Sequence, residues 1–428
     1  MMQVFIIAAE NTMEQRISDQ SLAQLAQQHG TPLWVYDAAV IRERIAQLAS
    51  FDVIRYAQKA NSNIHILRLM REAGARVDAV SLGEIERALL AGFIPAATDG
   101  VAGLVFTSDV FDRATLDRVV ELNLEVNAGS IDMLRQLGAR SPGHRVWLRI
   151  NPGFGHGHSQ KTNTGGENSK HGIWHEQIQE ALAVVAEYNL HLVGLHMHIG
   201  SGVDYRHLQQ VCGAMVELVA GLGHDIEAFS TGGGLSVPYR DGEVAVDTAH
   251  YFELWDQARK QIESRLGHPV RMEIEPGRFL VAEAGVLVAE VRGTKYMGSK
   301  HFTLVDAGFN DLMRPSMYGS YHAISVIAHD GRALAAQAAL PTVVAGPLCE
   351  SGDVFTQRDG GLVEARALPA AQVGDYLVFH AAGAYGASMS SNYNSRLHAA
   401  EWLIDGAQSR LIRRRQTLDQ LLALENTL

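Results

Sequence analysis

Several side chains that can do covalent or acid–base chemistry stand at the ends of apolar, strand-like runs. Lys59 follows the run 53–58, and a lysine amine partly shielded from water can attack a carbonyl carbon to form a Schiff base. His198 and Glu275 end two later runs and supply an imidazole and a carboxylate. A lone lysine at the end of a strand usually only reaches solvent. The prediction of chemistry therefore depends on these residues occurring together.

Two glycine-containing segments fit the binding of an anionic, ring-containing group. The segment 231–235 reads Thr-Gly-Gly-Gly-Leu, so its backbone N–H groups can approach an anion closely, most often a phosphate. A tight turn in a barrel would have the same composition. The segment 275–278 reads Glu-Pro-Gly-Arg, and a buried carboxylate there can keep a pyridinium nitrogen protonated, as pyridoxal phosphate (PLP) chemistry requires. A structural ion pair between Glu275 and Arg278 is the alternative.

Length and composition describe an ordinary globular protein. The chain has 428 residues, of which 47% are hydrophobic and 19% charged, and this length exceeds the usual size of one hydrophobic core. A formal net charge of −11 disfavours a nucleic-acid partner. Two cysteines give no disulfide framework, and the His and Cys spacing fits no zinc site, so we expect no metal. Without a signal-like start or an apolar run of about 20 residues, we expect a cytoplasmic enzyme with no membrane partner.

The elements that must position these residues alternate between strand-like and helix-like segments. The strand-like runs are 53–58, 76–81, 105–107, 124–127, 145–151, 192–199, 228–231 and 271–275, and the helix-like stretches between them include 82–92, 177–188, 207–222 and 251–266. Eight such units over about 250 residues predict a (β/α)8 TIM barrel at 33–283. A doubly wound sheet is the rival. The polar residues at so many strand ends favour the barrel, whose C-terminal mouth would gather them.

After residue 283 the helical periodicity fades. Short runs at 286–291, 302–306, 342–345, 375–379 and 410–413 are separated by turns. They predict a β-rich sandwich or barrel domain at 284–428, joined by part of 1–32, so the whole fold is α/β plus β. Cys349 in this domain follows Gly-Pro-Leu and precedes three polar residues. That setting is unfavourable for a buried hydrophobic residue, and we expect Cys349 to be functional.

Six motifs in order resemble those of one enzyme family. They are Tyr-Ala-Gln-Lys-Ala-Asn at 56–61, His-Ile-Gly-Ser at 198–201, Gly-Gly-Gly at 232–234, Glu-Pro-Gly-Arg at 275–278, Cys-Glu-Ser-Gly-Asp at 349–353 and Gly-Ala-Tyr at 383–385. Together they resemble the fold-type III PLP decarboxylases. The segments 151–173 and 306–315 are similar to the branch of that family that acts on meso-2,6-diaminopimelate. The resemblance covers nearly the whole chain, from about residue 16 onward.

This resemblance implies an activity and a set of site residues. The expected reaction removes CO₂ from the D-centre of meso-2,6-diaminopimelate and leaves L-lysine. The implied catalytic residues are Lys59, which holds PLP, the proton donor Cys349, and His198. The implied cofactor-binding residues are Lys59, His198, Ser201, Gly233, Gly234, Glu275, Pro276, Gly277, Arg278 and Tyr385, and the substrate-binding residues are Arg278, Arg314, Tyr318, Glu350 and Tyr385. In this family Cys349 and Glu350 reach the neighbouring subunit's site, which implies a homodimer with shared active sites.

Other activities stay open at this point. A relative acting on ornithine, arginine, D-lysine or carboxynorspermidine would keep Lys59, His198 and Glu275 but differ around Arg314 and Glu350. An alanine-racemase-type enzyme would use a tyrosine base, and a single-barrel PLP carrier would need no second domain. One departure from the family pattern is His171, where many relatives have phenylalanine. We interpret it as a feature of a subfamily.

Overall fold

The chain begins with a helix and a strand that lie outside the barrel. The computed structural model describes residues 17–96, 99–155, 164–198, 200, 202, 204–334 and 338–426. Helix α1 (Asp19–His29) is capped by Ser18, and strand β1 (Leu33–Asp37) follows it. The predicted boundaries 33–283 place β1 in the barrel, but it pairs with two later strands of a second sheet. Both faces of β1 are buried, so its sequence has the continuous apolar character of a barrel strand.

Eight parallel strands form a closed barrel, as predicted. They are β2 (Val53–Ala57), β3 (Arg76–Ala79), β4 (Leu104–Ser108), β5 (Glu125–Ala128), β6 (Arg145–Asn151), β8 (His191–His196), β9 (Ala228–Ser230) and β10 (Arg271–Ile274). Their hydrogen-bonded order is β5–β4–β3–β2–β10–β9–β8–β6, and a pairing of β5 with β6 closes the ring. The short strand β7 (Ile173–Trp174) adds to the edge of β6.

Helices alternate with the barrel strands along the chain, and most of them begin at polar caps. They are α2 (Ala38–Ala46), α3 (Ile64–Glu72), α4 (Leu82–Leu90), α5 (Arg113–Leu122), α6 (Ile131–Arg140), α7 (Ile178–Glu187), α8 (Tyr205–Leu222), α9 (Thr248–Leu266) and the short α10 (Arg278–Val281). The side chains of Asn63, Ser81, Asp112, Ser130, Asp204 and Asp247 accept hydrogen bonds from first-turn N–H groups. These caps fix where most of the strand-to-helix loops end, whereas α7 and α10 begin without a capping side chain.

The second sheet is mixed and carries the C-terminal third of the chain. Its strands after β1 are β11 (Gly285–Met297), β12 (Lys300–Val305), β13 (Ile324–Ile327), β14 (Leu340–Ala345), β15 (Arg366–Leu368), β16 (Tyr376–Phe379), β17 (Ala400–Asp405) and β18 (Gln408–Arg413), with helices α11 (Arg314–Tyr318) and α12 (Leu418–Leu422). The main path runs β15–β14–β12–β11–β1–β17–β18, and β16 pairs with β11 and β13. The predicted β-rich character is confirmed, while a domain boundary near residue 283 stays a proposal.

The two parts of the fold share one hydrophobic core and a direct contact. The main core cluster includes Trp34, Leu287 and Phe379 together with the barrel helices. The backbone N–H of Tyr385 and the hydroxyl of Ser388 both donate to the carbonyl of Ala60, at 2.8 and 3.0 Å. The 383–388 turn is therefore seated on the residue next to Lys59. No helix among the described residues is both long and apolar enough to cross a membrane.

Candidate active site

Lys59 lies on a short turn that leads out of the barrel. A single 3₁₀ turn, Gln58–Ala60, follows β2, and it buries Gln58 and Ala60 while Lys59 stays exposed. Lys59 faces a cavity of about 780 Å³, which is ample for a cofactor or a small substrate. The cavity opens at the C-terminal ends of the barrel strands, the position of active sites in such barrels.

The cavity gathers most of the predicted site residues. Its lining includes Lys59, His198, Gly233, Gly234, Glu275, Gly277, Arg278, Arg314, Tyr318 and Tyr385. Pro276 is not part of the lining, but its carbonyl accepts a hydrogen bond from Ala57 N at 3.1 Å and holds its loop against β2. Cys349 and Glu350 are exposed and do not line the cavity of their own chain. Ser201 lies outside the described residues.

The glycine run after β9 brings backbone close to the cavity. A Cβ on Gly233 would lie 2.3 Å from the carbonyl oxygen of Glu275, and one on Gly234 would lie 2.5 Å from that of Gly200. Gly234 also has φ +98°, a conformation that side chains disfavour. Glycine is therefore required here by both space and backbone conformation.

His198 presents a neutral ring to the same cavity. Its Nδ1 accepts a hydrogen bond from the backbone N–H of Gly233 at 3.2 Å, so a neutral ring carries its hydrogen on Nε2. Burial of the ring lowers its pKa well below the usual value, and the positive charges of Arg149 and Lys59 add to this effect. The imidazole is therefore uncharged near neutral pH.

Two carboxyl groups of the cavity have pKa values shifted in opposite directions. Glu275 Oε1 accepts from Ser230 Oγ at 2.8 Å, and its Oε2 lies 3.0 Å from His196 Nε2. Burial raises the pKa of Glu275, but His196 and Ser230 outweigh burial and bring the pKa to about 2. Burial raises the pKa of Asp78 well above its usual value, and the charge of Glu275 adds to the rise. The surroundings thus favour the ionised form of Glu275 and the protonated form of Asp78, the kind of separation that catalytic carboxyl pairs use.

Two guanidinium groups define another side of the cavity. Arg278 Nη1 donates to the hydroxyl of Tyr239 at 2.8 Å, and Arg314 Cζ lies 4.9 Å from the centre of the Tyr239 ring. Arg278 also lies over Tyr385, at 5.2 Å from the ring centre. Within the described part of the chain, neither guanidinium forms a salt bridge with a carboxylate. This side of the cavity can therefore receive an anionic group of a ligand.

The cavity also contains residues that the sequence reasoning missed. They are Asp78, Asp109, Arg149, His171 and Tyr239, all of which line it. Asp78 stands near the end of β3, a strand-end position that could have identified it. Tyr239 belongs to an irregular loop after the glycine run, where no periodic pattern marks a residue as facing the cavity.

The histidine that departs from the family pattern has a polar partner. His171 Nδ1 lies 2.6 Å from Asp109 Oδ2, and the backbone N–H of Gly172 donates to Asp109 Oδ1 at 2.9 Å. Burial raises the pKa of Asp109, but its hydrogen bonds to His171 and Gly172 prevail and lower the pKa overall. The histidine and the aspartate therefore form a matched pair at the edge of the cavity.

Comparison with known proteins gives consistent matches across sequence and structure. Residues 38–282 match the family described as pyridoxal-dependent decarboxylase, pyridoxal binding domain. The diaminopimelate decarboxylase of Escherichia coli K12 is 66% identical over 409 residues, covering 96% of this chain and 97% of the relative. That of Streptomyces coelicolor is 65% identical, covering 94% and 91%. A crystal structure of a diaminopimelate decarboxylase superposes with a TM-score of 0.93 at 65% identity, covering 97% of this chain and 99% of that one.

Proposed function

Since the chain belongs to the pyridoxal-dependent decarboxylases, we propose that it removes CO₂ from the D-centre of meso-2,6-diaminopimelate and releases L-lysine. The observation that carries this proposal is the pair formed by a part-buried Arg278 and a buried Arg314, without carboxylate partners among the described residues, in the cavity that Lys59 faces. A substrate with a second carboxylate, at the end remote from the reacting carbon, would supply these two arginines with a partner. We also propose that the enzyme works in the cytoplasm.

PLP fits the residues of the cavity. The cavity contains a glycine cradle, formed by Gly233 and Gly234, where an added Cβ would clash with neighbouring backbone. It also contains an ionised Glu275 and the amine of Lys59. When bound, PLP supplies an electron sink for the electron pair left on the substrate carbon as CO₂ departs. Lys59 holds the cofactor through its amine, and Glu275 keeps the ring nitrogen protonated. The remaining proposed cofactor contacts are His198, Ser201, Gly233, Gly234, Pro276, Gly277, Arg278 and Tyr385.

The substrate is held at its far end, away from the reacting carbon. That end carries both a carboxylate and an ammonium. Arg278 and Arg314 pair with the carboxylate, because a guanidinium offers two parallel N–H donors to a carboxylate. Tyr318 and Tyr385 complete this part of the site. The ammonium needs an acidic partner, and Glu350 has that chemistry.

Glu350 and Cys349 serve the site of a second copy of the chain. Both are exposed on a loop whose backbone is tied down: Cys349 N donates to Asn394 Oδ1 at 2.8 Å, and Leu348 N donates to Asp353 Oδ2 at 2.7 Å. A fixed loop that presents a thiol and a carboxylate outward suits a role in a neighbouring subunit. In the homodimer, Cys349 Sγ gives a proton to the carbon that has lost CO₂, and Glu350 binds the distal ammonium.

A substrate comparison tests the function. Purified enzyme with PLP should release CO₂ from meso-2,6-diaminopimelate far faster than from D-lysine or L-ornithine, because only the first offers a distal carboxylate together with a D-centre. Comparable or faster release from D-lysine or L-ornithine would replace this proposal with a relative of different specificity. Omission of PLP is the matched control and should abolish release.

A further inference from the structure

His322, which lies in the second sheet's part of the chain, contacts the guanidinium of Arg314. Its side chain is 1% exposed, and Arg314 is 5% exposed. Arg314 Nη1 lies 3.0 Å from His322 Nε2, and His322 Nδ1 lies 2.9 Å from the carbonyl oxygen of His380. A carbonyl oxygen only accepts hydrogen bonds, so Nδ1 must carry the hydrogen. Nε2 then has a free lone pair, and Arg314 donates to it.

The surroundings of His322 favour the uncharged ring. Arg314 on α11, Arg278 on α10 and Arg366 on β15 all place positive charge near it, and Arg366 also donates to its backbone carbonyl. The Tyr239 ring meets it edge-on, with ring centres 5.6 Å apart. The carbonyl of His380, which accepts a hydrogen bond from the ring, favours protonation. Burial, followed by the charge of Arg314, lowers the pKa of His322 well below its usual value.

A neutral acceptor suits a guanidinium that must bind a substrate anion. A carboxylate in the place of His322 would neutralise Arg314 and compete with the substrate for its N–H groups. An imidazole lone pair occupies a single N–H and leaves the positive charge uncompensated. It therefore fixes the orientation of the guanidinium while keeping its affinity for a carboxylate.

We propose that neutral His322 is a positioning residue that orients Arg314 toward the distal carboxylate of the substrate. The inference rests on the proposed function, in which Arg314 binds that carboxylate. It adds a residue, outside the predicted site, whose hydrogen-bond acceptor sets substrate affinity rather than the rate of the chemical step.

Two substitutions test the hydrogen-bond acceptor Nε2 of His322 separately from its donor Nδ1. His322→Gln places an amide oxygen near the position of Nε2, whereas His322→Asn keeps only the donor toward His380. With PLP-loaded enzyme, His322→Asn should raise KM for meso-2,6-diaminopimelate about 10-fold, the loss expected for one hydrogen bond to a charged group. Its kcat and cofactor absorbance should stay near wild type, and His322→Gln should restore most of the affinity. Binding of L-lysine should weaken more than binding of 1,5-diaminopentane, which lacks a carboxylate.

Controls separate this inference from a general loss of structure and from the proposed function. His301→Gln removes another buried histidine of the second sheet, one that contacts Thr342 instead, and should leave KM unchanged. Equal losses in both His322 variants, or a fall in kcat with unchanged KM, would overturn the positioning role. Wild-type enzyme inactive on meso-2,6-diaminopimelate would instead overturn the proposed function.

The protonation state of His322 can also be read directly in the unmutated enzyme. In ¹⁵N-histidine-labelled protein at pH 7, the signal that is absent from His322→Gln identifies His322, and in the wild-type enzyme that signal should show a neutral ring protonated on Nδ1. A protonated ring, or a hydrogen on Nε2, contradicts the proposal.

Discussion

The guanidinium groups of the buried Arg314 and the part-buried Arg278 most restrict what the cavity can bind. Removing a charge from water is costly unless another group compensates it. Tyr239 faces both Arg278 and Arg314 with its ring and hydroxyl, which compensates only part of that cost. In the proposed function, a substrate carboxylate supplies the rest. The guanidinium N–H groups that Tyr239 and His322 do not occupy would then give the site a preference for a dicarboxylic amino acid.

Substitution of Arg314 by lysine tests this preference. Lysine keeps the charge but cannot form the forked pair of hydrogen bonds. Arg314→Lys should raise KM for meso-2,6-diaminopimelate about 10-fold or more, while cofactor absorbance stays unchanged. Arg292→Lys, at an exposed arginine paired with Glu290, is the matched control and should have no effect. An unchanged kcat/KM in Arg314→Lys would remove Arg314 from the substrate site.

Asp311 gives a prediction about stability and pH. Burial raises its pKa to about 7, although Gly308 N donates to its carboxyl group. Because the folded state holds this proton more tightly than the unfolded state, stability should fall as pH rises from about 4 to about 7. Asp311→Asn keeps an acceptor for Gly308 and cannot ionise. Melting temperatures measured from pH 5 to pH 8 should fall less in the variant, and equal slopes would contradict the assignment.

At the level of elements, the glycine cradle after β9 can bind the cofactor only in one backbone conformation. Gly234→Ala would put a Cβ 2.5 Å from the Gly200 carbonyl at a φ of +98°. The loop must then shift, and we expect PLP affinity to fall at least about 10-fold. A fluorescence titration of apoenzyme with PLP measures this.

Gly213 provides the control for that substitution. It lies inside α8, where an added Cβ meets nothing within 4 Å, and alanine is a better helix former than glycine. Gly213→Ala should bind PLP normally and melt at the same or a higher temperature. Equal PLP affinity in both variants would show that the cradle tolerates a side chain.

The sequence identifies individual strands better than it identifies which strands pair with one another. The eight barrel runs are recognisable because each is a short apolar stretch ending in polar residues, as at Lys59 and Glu275. Strand β1 has the same character, and only long-range pairing reveals that it belongs to the second sheet. Strands β13 and β15 were not predicted, because partly exposed edge strands and short strands carry weak patterns. Strand β17 was also missed, although it is six residues long and lies between β1 and β18. Tyr239 and His322 were missed for a related reason. Both lie in loops, where no periodic sequence pattern shows which way a side chain faces.

At the level of the whole molecule, the proposed dimer makes a quantitative prediction. Cys349→Ala and Lys59→Ala homodimers should each be nearly inactive, because every site lacks one residue. After random subunit exchange about half of the dimers are mixed, and one of their two sites has both residues under two-fold symmetry. Roughly a quarter of wild-type activity should therefore return.

Exchange must be verified independently of activity. Native mass spectrometry of differently labelled chains measures the mixed dimers, and exchange between two Lys59→Ala preparations is the matched control with no recovery. Activity that stays at the parental level despite complete exchange would show that Cys349 does not act across the interface.

The position of β1 has a consequence for how the protein is made. This strand leaves the ribosome early, yet its neighbours β11 and β17 are synthesised only after the entire barrel. At a translation rate of about 5–20 residues per second, the apolar faces of β1 stay uncovered by these strands for tens of seconds. Nascent chains stalled before β17 should accordingly be held by chaperones, and the turn that seats Tyr385 beside Lys59 can form only after the barrel and most strands of the second sheet have been synthesised.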